Sequence, residues 1–429
     1  MHDFLDPLID ASFKGFPHLR EPLRRSQIGQ QGWNVLAGDL PLPLCVIKRR
    51  ALEGNLTWMQ GFAREHGVDM APHGKTTMSP QLFRRQIEAG AWGITFATVT
   101  QARVGIAAGV QRCLIANQVF QPVDLEAVQS LLREHAGLRI VFLVDSLAQL
   151  ERIEDWYGAG ATGQDARRPF EVLLEIGLDG GRTGSRSDEL AAALARRMRQ
   201  SPAVRLVGIE CYEGLWAKGN TDTDKAVADT LMARVQATAR LCNAEQLFEC
   251  DEVLMSAGGS AIFDLVASQL TPDLGRPVRG LLRSGCYVTH DDGAYKRMMS
   301  VMTTRLGCGH GLHAAMEVWA AVQSRPEPGL AILTVGRRDI SFDSAMPVPL
   351  SIARLGERTP SDVPAGWSVT KLNDQHAYLC APEGGKLELA VGDRVALGIS
   401  HPCTTFDKWR WMPLVDDDYS VCDAIVTSF

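Results

Sequence analysis

The sequence predicts an α/β protein in which a (β/α)8 TIM-type barrel is followed by a mainly β domain. The middle of the 429-residue chain alternates short apolar runs with amphipathic stretches, which is typical of repeated βα units around a parallel sheet. Eight βα units form a closed barrel, with catalytic groups at the C-terminal ends of its strands. From about residue 298, Gly, Pro and Asp become frequent and short runs carry β-branched residues, which indicates a second, β-rich domain.

The barrel prediction depends on eight runs that alternate with helical stretches. The helix before the first run places Leu56, Met59, Phe62 and Ala63 on one face, as a helix packed on a sheet requires. With this count, the earlier run Leu44–Ile47 lies outside the barrel. The predicted barrel strands are Val68–Pro72, Gly93–Ala97, Cys113–Asn117, Arg139–Val144, Glu171–Ile176, Arg205–Glu210, Glu252–Ser256 and Arg279–Arg283.

The β-rich domain is predicted from its strands and turns. The runs Leu330–Val335, Ala377–Leu379 and Arg394–Ile399 alternate or carry β-branched residues. Between them, Arg354–Trp367 contains prolines and glycines and is predicted to be an exposed loop.

Composition and charge exclude several classes of protein. The net charge is -6 and no run of lysine and arginine is longer than three residues, which argues against a nucleic-acid or anionic-membrane surface. Residues 1–40 contain no apolar run long enough for a signal peptide or a membrane span, so we expect a cytoplasmic protein. The ten cysteines are scattered singly without a Cys-x-x-Cys, which indicates neither a disulfide framework nor a zinc knuckle.

Lys75 is the most informative residue of the chain. It follows the first predicted strand in the segment Pro72-His73-Gly74-Lys75-Thr76. If the strand extends to Lys75, period-two alternation puts His73 and Lys75 on one face. An amine that shares a small desolvated space with an imidazole is favoured in its uncharged form, which forms Schiff bases. The alternative is a strand that ends in a solvated lysine.

The segment Pro-His-Gly-Lys-Thr-Thr, followed by the helical stretch Ser79–Gly90, resembles the pyridoxal-phosphate lysine segment of the D-serine dehydratase and D-threonine aldolase family. This family shares its barrel with alanine racemase, and the resemblance runs from about Leu44 to the C-terminus. It implies that Lys75 carries pyridoxal phosphate in a barrel over 45–297, with a D-serine dehydratase-like β-domain over 298–429. It further implies that residues 1–44 pack on the β-domain, and that the protein is a homodimer with active sites near the subunit interface.

A second motif, Leu178–Gly184, follows the fifth predicted strand. Its glycines let the backbone approach a ligand, although the segment could equally be a turn with a solvated arginine. The resemblance implies that Arg182 faces the pyridine nitrogen of the cofactor. A guanidinium keeps its proton at neutral pH, so the ring nitrogen would stay largely unprotonated. Tyr212, after the sixth strand, matches a family tyrosine near the cofactor or is an ordinary aromatic residue at the barrel rim.

Two loops form the predicted phosphate site. Ser256–Ser260 follows the seventh strand and is predicted to open a helix, whose backbone N–H groups favour a phosphate. Ser284–Tyr287 follows the eighth strand, and phosphate sites built from these two loops recur in such barrels. The phosphate contacts implied by the resemblance, mostly through backbone, are Gly258, Gly259, Ser260, Gly285, Cys286 and Tyr287.

A fourth motif, Ser400–Asp407, ends a predicted strand of the β-domain. In an extended segment, His401 and Cys403 would lie on one face, and both residue types are good zinc ligands. They could also be a buried histidine and a buried thiol. Dehydratases of the resembled family carry a His-x-Cys metal pair here and the aldolases carry His-x-Asp, so Cys403 favours a zinc-dependent dehydratase. His376 matches a family histidine near the site or is a surface turn residue.

Together with these residues, the resemblance implies an enzyme, a lyase dependent on pyridoxal phosphate and zinc. Its substrate would be a small D-β-hydroxy amino acid, with D-serine favoured, and its products a 2-keto acid such as pyruvate and ammonia. The nearest alternative is a metal-activated D-threonine aldolase, which forms glycine and an aldehyde. A racemase is disfavoured because racemisation needs no metal pair. A non-catalytic pyridoxal-phosphate-binding protein is disfavoured because such carriers resemble a barrel alone.

Overall fold

A computed structural model describes residues 4–159 and 167–429. The eight predicted barrel strands are confirmed as one parallel sheet in which the second to the eighth strand pair in sequence order and the first strand pairs with the eighth. Most of the predicted bounds agree within three residues. The barrel strands are β4 (Asp69–Met70), β5 (Ile94–Phe96), β6 (Arg112–Gln118), β7 (Arg139–Val144), β8 (Phe170–Ile176), β9 (Val204–Cys211), β10 (Val253–Ala257) and β11 (Val278–Leu282).

The barrel closes between its first two strands. The amide of Trp92 donates to the carbonyl of Met70 at 2.7 Å, and the amide of Thr95 donates to the carbonyl of Pro72 at 2.9 Å. A parallel bridge between His73 and Thr95 continues the contact. A buried apolar cluster that includes Leu114, Val141, Leu173, Val207, Leu254 and Leu281 fills the interior. The barrel is therefore a packed core whose chemistry must lie at its ends.

Helices surround the barrel and connect its strands. Several begin at a capping side chain that accepts a backbone N–H: Ser146 accepts from Gln149, Ser187 from Leu190 and Asn220 from Thr223. The helices are α1 (Arg49–Glu65), α2 (Pro80–Glu88), α3 (Val99–Ala107), α4 (Pro122–Glu134), α5 (Leu147–Gly158), α6 (Asp188–Gln200), α7 (Thr221–Ala244), α8 (Phe263–Ala267), α9 (Ala294–Leu306) and, in the second domain, α10 (Cys403–Phe406).

The second domain is an antiparallel β structure with the strand order β15-β14-β18-β12-β13-β17-β16. Strand β3 (Leu44–Lys48) pairs with β12 and β19 of this sheet, which confirms that the run Leu44–Ile47 is not a barrel strand. The strands are β12 (Met316–Glu327), β13 (Leu330–Leu333), β14 (Val348–Ala353), β15 (Ser361–Asp362), β16 (Ser368–Leu372), β17 (Ala377–Cys380), β18 (Arg394–Gly398), β19 (Trp411–Val415) and β20 (Val421–Val426).

The N-terminal residues contact the second domain. The indole N–H of Trp411 donates to the carbonyl of Lys14 at 2.8 Å, and Arg25 lies 2.5 Å from the carboxylate of Asp423. A short ladder joins β1 (Leu8–Ile9) to β2 (Leu23–Arg24). The predicted domain boundary at residue 298 falls inside helix α9, and the first strand of the domain that follows begins at Met316. The boundary was misplaced because frequent turn residues nearby concealed the helical spacing of α9.

Candidate active site

A cavity of about 310 Å³ opens at the C-terminal ends of the barrel strands. Lys75 lines it together with His73 and Arg182 from the barrel and with His401 and Cys403 from the β-domain. Of the phosphate loops, Gly259, Ser260, Gly285 and Cys286 also line it. The structure therefore brings residues from all four predicted motifs to one cavity.

Lys75 does not extend a strand. Strand β4 ends at Met70, and Lys75 lies in a single 3-10 turn, Gly74–Thr76, so the alternation predicted for His73 and Lys75 is wrong. The turn still exposes Lys75 to the cavity while Gly74 and Thr76 are buried. A Cβ at position 74 would lie 2.7 Å from the Ile94 side chain, so only glycine lets this turn pack on the barrel.

His73 supplies a neutral imidazole next to Lys75. Burial, and then the positive charges of Lys75, Arg283 and Arg182, hold the pKa of His73 well below its usual value. Its Nδ1 is buried without a hydrogen-bond partner among the described residues. A buried polar atom left unpaired is costly, and a ligand in the cavity is one way to satisfy it.

Arg182 lies in the loop after β8, with its guanidinium 5.1 Å from the centre of the Tyr212 ring. The loop is tied to the barrel by Thr183, whose hydroxyl donates to Glu175 at 2.6 Å, and by the amide of Gly184, which donates to Asp145 at 3.0 Å. Both predicted residues, Arg182 and Tyr212, thus face the cavity together.

The glycine loop after β10 differs from the prediction. The amides of Gly258 and Gly259 donate to the buried carboxylate of Glu213 at 3.1 and 2.6 Å. These two donors are therefore occupied by a protein carboxylate, and Gly258 does not line the cavity. The helix that was predicted to open here begins only at Phe263 and has five residues.

The loop after β11 brings one of its side chains to the cavity and turns another away. The amide of Cys286 donates to the Ser260 hydroxyl at 3.2 Å, which joins the two loops of the predicted phosphate site. The hydroxyl of Tyr287 accepts from Gln86 at 3.3 Å on the buried side of the loop, away from the cavity. A Cβ at Gly285 would lie 2.5 Å from the Thr76 hydroxyl, so glycine is required where the loop passes the lysine turn.

His401 and Cys403 lie together, although not in an extended segment. Cys403 begins the short helix α10, and the intervening Pro402 is helical. The Cys403 sulfur lies 3.6 Å from the Cys286 sulfur, and the ligand atoms of Cys286, His401 and Cys403 all lie within 4.8 Å of one another. We call these three residues the thiol–imidazole cluster. From the sequence, Cys286 is predicted as a phosphate contact and not as a metal ligand.

Hydrogen bonds within the cluster favour a thiolate at Cys403. The Cys286 thiol and then His401 and Thr76 hold the pKa of Cys403 well below its usual value, despite burial. Hydrogen bonds to Cys403 and Asp343 raise the pKa of His401 to about 9. A thiolate beside an imidazole is a donor pair suited to a soft or borderline metal ion.

Asp343 is a site residue that sequence reasoning missed. Its carboxylate lies 2.6 Å from Nδ1 of His401 and accepts from the Thr404 hydroxyl at 2.7 Å. This contact leaves Nε2 of His401 for a ligand, which is the usual arrangement of a metal-binding histidine. Asp407, at the end of the same motif, is exposed and lies 3.7 Å from Lys408.

His376 does not reach the cavity. It is an exposed residue directly before β17, and its carbonyl accepts from the amide of Asn373 at 2.9 Å, as in the surface-turn alternative.

Buried charged residues at the ends of the barrel strands were also missed. Glu210 forms a buried ion pair with Arg283, and both line the cavity. Burial and the neighbouring Glu210 raise the pKa of Glu175 to about 8. Each of these residues lies within one position of the end of a barrel strand, so the rule that strand ends carry the chemistry could have found them.

Comparisons with known protein families agree with this architecture. The alanine racemase N-terminal domain matches residues 47–277, which is more than half of the chain. The chain therefore belongs to the alanine racemase N-terminal domain family. A putative serine dehydratase domain matches residues 315–415 of the β-domain.

Within this family, similar proteins include a D-threonine aldolase from Arthrobacter sp., 28% identical over 87% of this chain and 89% of the relative. A D-threo-3-hydroxyaspartate dehydratase from Delftia sp. is 27% identical over 85% of this chain and 92% of the relative. Among solved structures, a D-threonine aldolase from Filomicrobium marinum superimposes with a TM-score of 0.73 at 25% identity, covering 92% of this chain and 97% of that one. No helix of the described residues is long and apolar enough to span a membrane.

Proposed function

We propose that the chain is a lyase dependent on pyridoxal phosphate and zinc, which dehydrates a D-β-hydroxy amino acid, D-serine above others, to a 2-keto acid and ammonia. The observation that carries the proposal is the cavity in which Lys75 and the thiol–imidazole cluster meet. The similarity to a dehydratase of a D-β-hydroxy amino acid supports it.

The residues of the cavity fit pyridoxal phosphate. Lys75 offers an amine, and the unpaired Nδ1 of His73 offers a polar contact. The loops that carry Ser260 and Gly285 would hold the phosphate, and Arg182 would face the pyridine nitrogen with Tyr212 beside it. Because the amides of Gly258, Gly259 and Cys286 are occupied and Tyr287 points away, we assign these four no direct contact with the phosphate.

The cluster also fits zinc. His401 and Cys403 present an imidazole nitrogen and a sulfur favoured as thiolate, and Asp343 orients the imidazole. Zinc at this position would lie at the edge of the cavity, where a substrate oxygen can reach it.

The protein residues divide the chemistry between them. Bound pyridoxal phosphate would supply an electron sink for the substrate Cα, and Lys75 would take the Cα proton as its general base. The Arg182 guanidinium keeps its own proton, so it would leave the ring nitrogen of a bound cofactor unprotonated, which would limit side reactions. Bound zinc would supply a Lewis acid for the departing β-hydroxyl, since hydroxide is a poor leaving group. The released enamine hydrolyses in water to the keto acid and ammonia.

Cleavage of the Cα–Cβ bond is the second candidate. It is favoured by the similarity to the D-threonine aldolase from Arthrobacter sp., which at 28% identity is slightly higher than the 27% identity to the dehydratase. Both reactions would use Lys75 and the metal, so the fold alone does not separate them.

Product analysis separates the two candidates. The purified protein would be incubated with D-serine, D-threonine and D-threo-3-hydroxyaspartate, and ammonia, keto acid and glycine would be measured, with the L-isomers as controls. Dehydration gives ammonia and keto acid in equal amounts without glycine. Glycine as the main product from D-threonine would show that the protein is an aldolase and not a dehydratase. The absence of turnover of every substrate would contradict both candidate functions.

Metal removal tests the role of zinc in the same assay. Chelation, or Cys403→Ala, should leave the visible absorption of the cofactor intact while dehydration falls by several orders of magnitude, because Lewis-acid help to a leaving oxygen is worth several kcal/mol. Full activity of the metal-free protein would contradict the leaving-group step. Cys403→Asp imitates the aldolase ligand pair and tests whether the ligand decides the reaction.

The proposed assembly is a homodimer with active sites near the subunit interface, as the family resemblance implies. Sedimentation equilibrium of the purified protein tests it, and a monomer at assay concentration would contradict it.

A further inference from the structure

A second thiol, Cys286, lies against the proposed zinc pair. Its sulfur is 3.6 Å from the sulfur of Cys403, and the side chain is only 4% exposed. We propose that Cys286 is a third protein ligand, so that this chain holds zinc with two thiolates and one imidazole. The inference rests on the proposed function, whose metal it concerns, and extends a site of two protein ligands to three.

The distances match one metal ion shared by all three residues. With zinc–sulfur bonds of about 2.3 Å and tetrahedral angles, two thiolates on one zinc lie about 3.8 Å apart. The observed separation of 3.6 Å is close to this value, and the imidazole nitrogen completes a triangle whose sides are all within 4.8 Å. An S–S bond is about 2.05 Å long, so the two cysteines are free thiols in this structure.

Each ligand is held by its own part of the fold. Cys286 is fixed by the barrel, where its amide donates to Ser260 at 3.2 Å and its carbonyl accepts from the amide of His290 at 2.7 Å. His401 is fixed by the β-domain, where its amide donates to the Ser341 hydroxyl at 3.0 Å. A metal bound by all three would therefore join the two domains at the cavity, and metal binding should raise the thermal midpoint of the whole chain.

The donor set also determines which metal is preferred and how much room is left for substrate. Two thiolates and an imidazole favour Zn²⁺ or Co²⁺ over Mg²⁺ and Mn²⁺, which prefer oxygen ligands. Three protein ligands leave one position of a tetrahedral zinc open, as in catalytic zinc sites. When the metal binds, the Cys286 thiol gives up its proton to solvent, because cysteine binds metals as thiolate.

The first experiment counts sulfur ligands in the unaltered holoenzyme. X-ray absorption at the zinc edge should show two sulfur neighbours at about 2.3 Å. One sulfur neighbour would overturn the inference and would leave the two-residue site of His401 and Cys403 intact. This measurement needs no variant, so it decides the question even if substitution of Cys286 prevents folding.

The second experiment compares Cys286→Ser with Cys308→Ser. Cys308 is a matched control because it lies outside the cavity, with its thiol 3.4 Å from the carbonyl of His310. Cys286→Ser keeps the backbone hydrogen bond to Ser260 but loses one sulfur. In cobalt-loaded protein, sulfur-to-cobalt charge-transfer absorption should fall to roughly half, because one of two thiolates is lost. Zinc affinity should weaken at least tenfold, since removal of even an outer-shell partner costs 10–100-fold.

The outcomes separate this inference from the proposed function. Unchanged cobalt absorption and zinc affinity in Cys286→Ser would overturn the third ligand, whatever the protein turns over. A Cys286–Cys403 disulfide in active, freshly purified holoenzyme would overturn it too. Conversely, two zinc–sulfur contacts in a protein that turns over no D-β-hydroxy amino acid would support the three-residue site and contradict the proposed function.

Discussion

Asp343 offers a sharp test of the metal site because it touches the cluster without being one of its ligands. Its Oδ2 lies 2.6 Å from Nδ1 of His401, and its Oδ1 accepts from the Thr404 hydroxyl at 2.7 Å. The substitution Asp343→Asn keeps the shape of the side chain and removes its charge. We expect weaker metal binding, because the carboxylate orients the imidazole and increases its basicity as a ligand.

The magnitude follows from the exposure of this carboxylate. Loss of an outer-shell partner typically costs 10–100-fold in metal affinity, or about 1.4–2.7 kcal/mol. The Asp343 side chain is 43% exposed, so solvent screens its charge. We therefore expect the lower end of the range, about tenfold, or about 1.4 kcal/mol.

The effect should depend on pH in a defined direction. The pKa of His401 is raised to about 9, chiefly by Cys403 and also by Asp343, so zinc must displace a proton below pH 9. Asp343→Asn removes one cause of this raised pKa and so weakens proton competition. The full loss of affinity should therefore appear at pH 9, and a smaller loss at pH 7.

Competition with a chromophoric chelator at both pH values measures these affinities. Asp407→Asn is the matched control, because it makes the same chemical change on an exposed carboxylate of the same segment. The reasoning would be refuted if Asp343→Asn bound zinc as tightly as the unaltered protein at pH 9, or if both variants lost affinity equally.

Three further predictions concern the barrel side of the cavity. Borohydride should fix the cofactor on Lys75, and Lys75→Ala should lack the visible absorption; label on another lysine in a peptide digest would contradict the assignment. Arg182→Glu should favour protonation of the ring nitrogen and raise transamination relative to dehydration, so unchanged product ratios would argue against its position. Glu175, with its pKa raised from 4.5 to about 8 by burial and Glu210, keeps a proton in the folded state that the unfolded chain releases. In the cofactor-free protein, stability should therefore fall by about 1.4 kcal/mol per pH unit between these values relative to Glu175→Gln. If the unfolding midpoints of both proteins changed equally with pH between 5 and 8, this effect of Glu175 would be excluded.

The barrel could be predicted because each of its strands appears in the sequence as a short apolar run. A buried parallel strand is apolar on both faces, so runs such as Arg139–Val144 stand out between amphipathic helices. The start of the β-domain was less visible, since α9 (Ala294–Leu306) lies within a stretch rich in turn residues. The boundary was predicted from the frequency of turn residues over the whole stretch, and this frequency does not reveal the helical spacing within it.

The positions of site residues could be predicted where strand ends determine them. Lys75 and Arg182 follow barrel strands and do line the cavity. The partners of these residues were less predictable, because they come from distant parts of the chain. Asp343 lies 58 positions before His401, and no spacing rule connects a loop carboxylate to a histidine across that distance.

The glycine loop shows why a motif can predict a location and still mispredict its contacts. Free amides at Gly258 and Gly259 would favour an anion, and the motif led us to expect a phosphate. The anion that these amides bind is Glu213, 45 positions before Gly258, whose burial requires such donors. The motif indicates amides that bind an anion. That the anion is Glu213 could be seen only after the fold had brought the two segments together.

Cys286 shows that the backbone and the side chain of one residue can serve different neighbours. Its amide joins the two loops of the predicted phosphate site through Ser260, because backbone donors depend on the position of the loop. Its sulfur points to Cys403, 117 positions later in another domain. Local sequence constrains the first contact and contains no information about the second. Cys286 can therefore be recognised as a candidate metal ligand only from the fold, in which the β-domain brings Cys403 next to it. The number of sulfur ligands at the metal tests this arrangement directly.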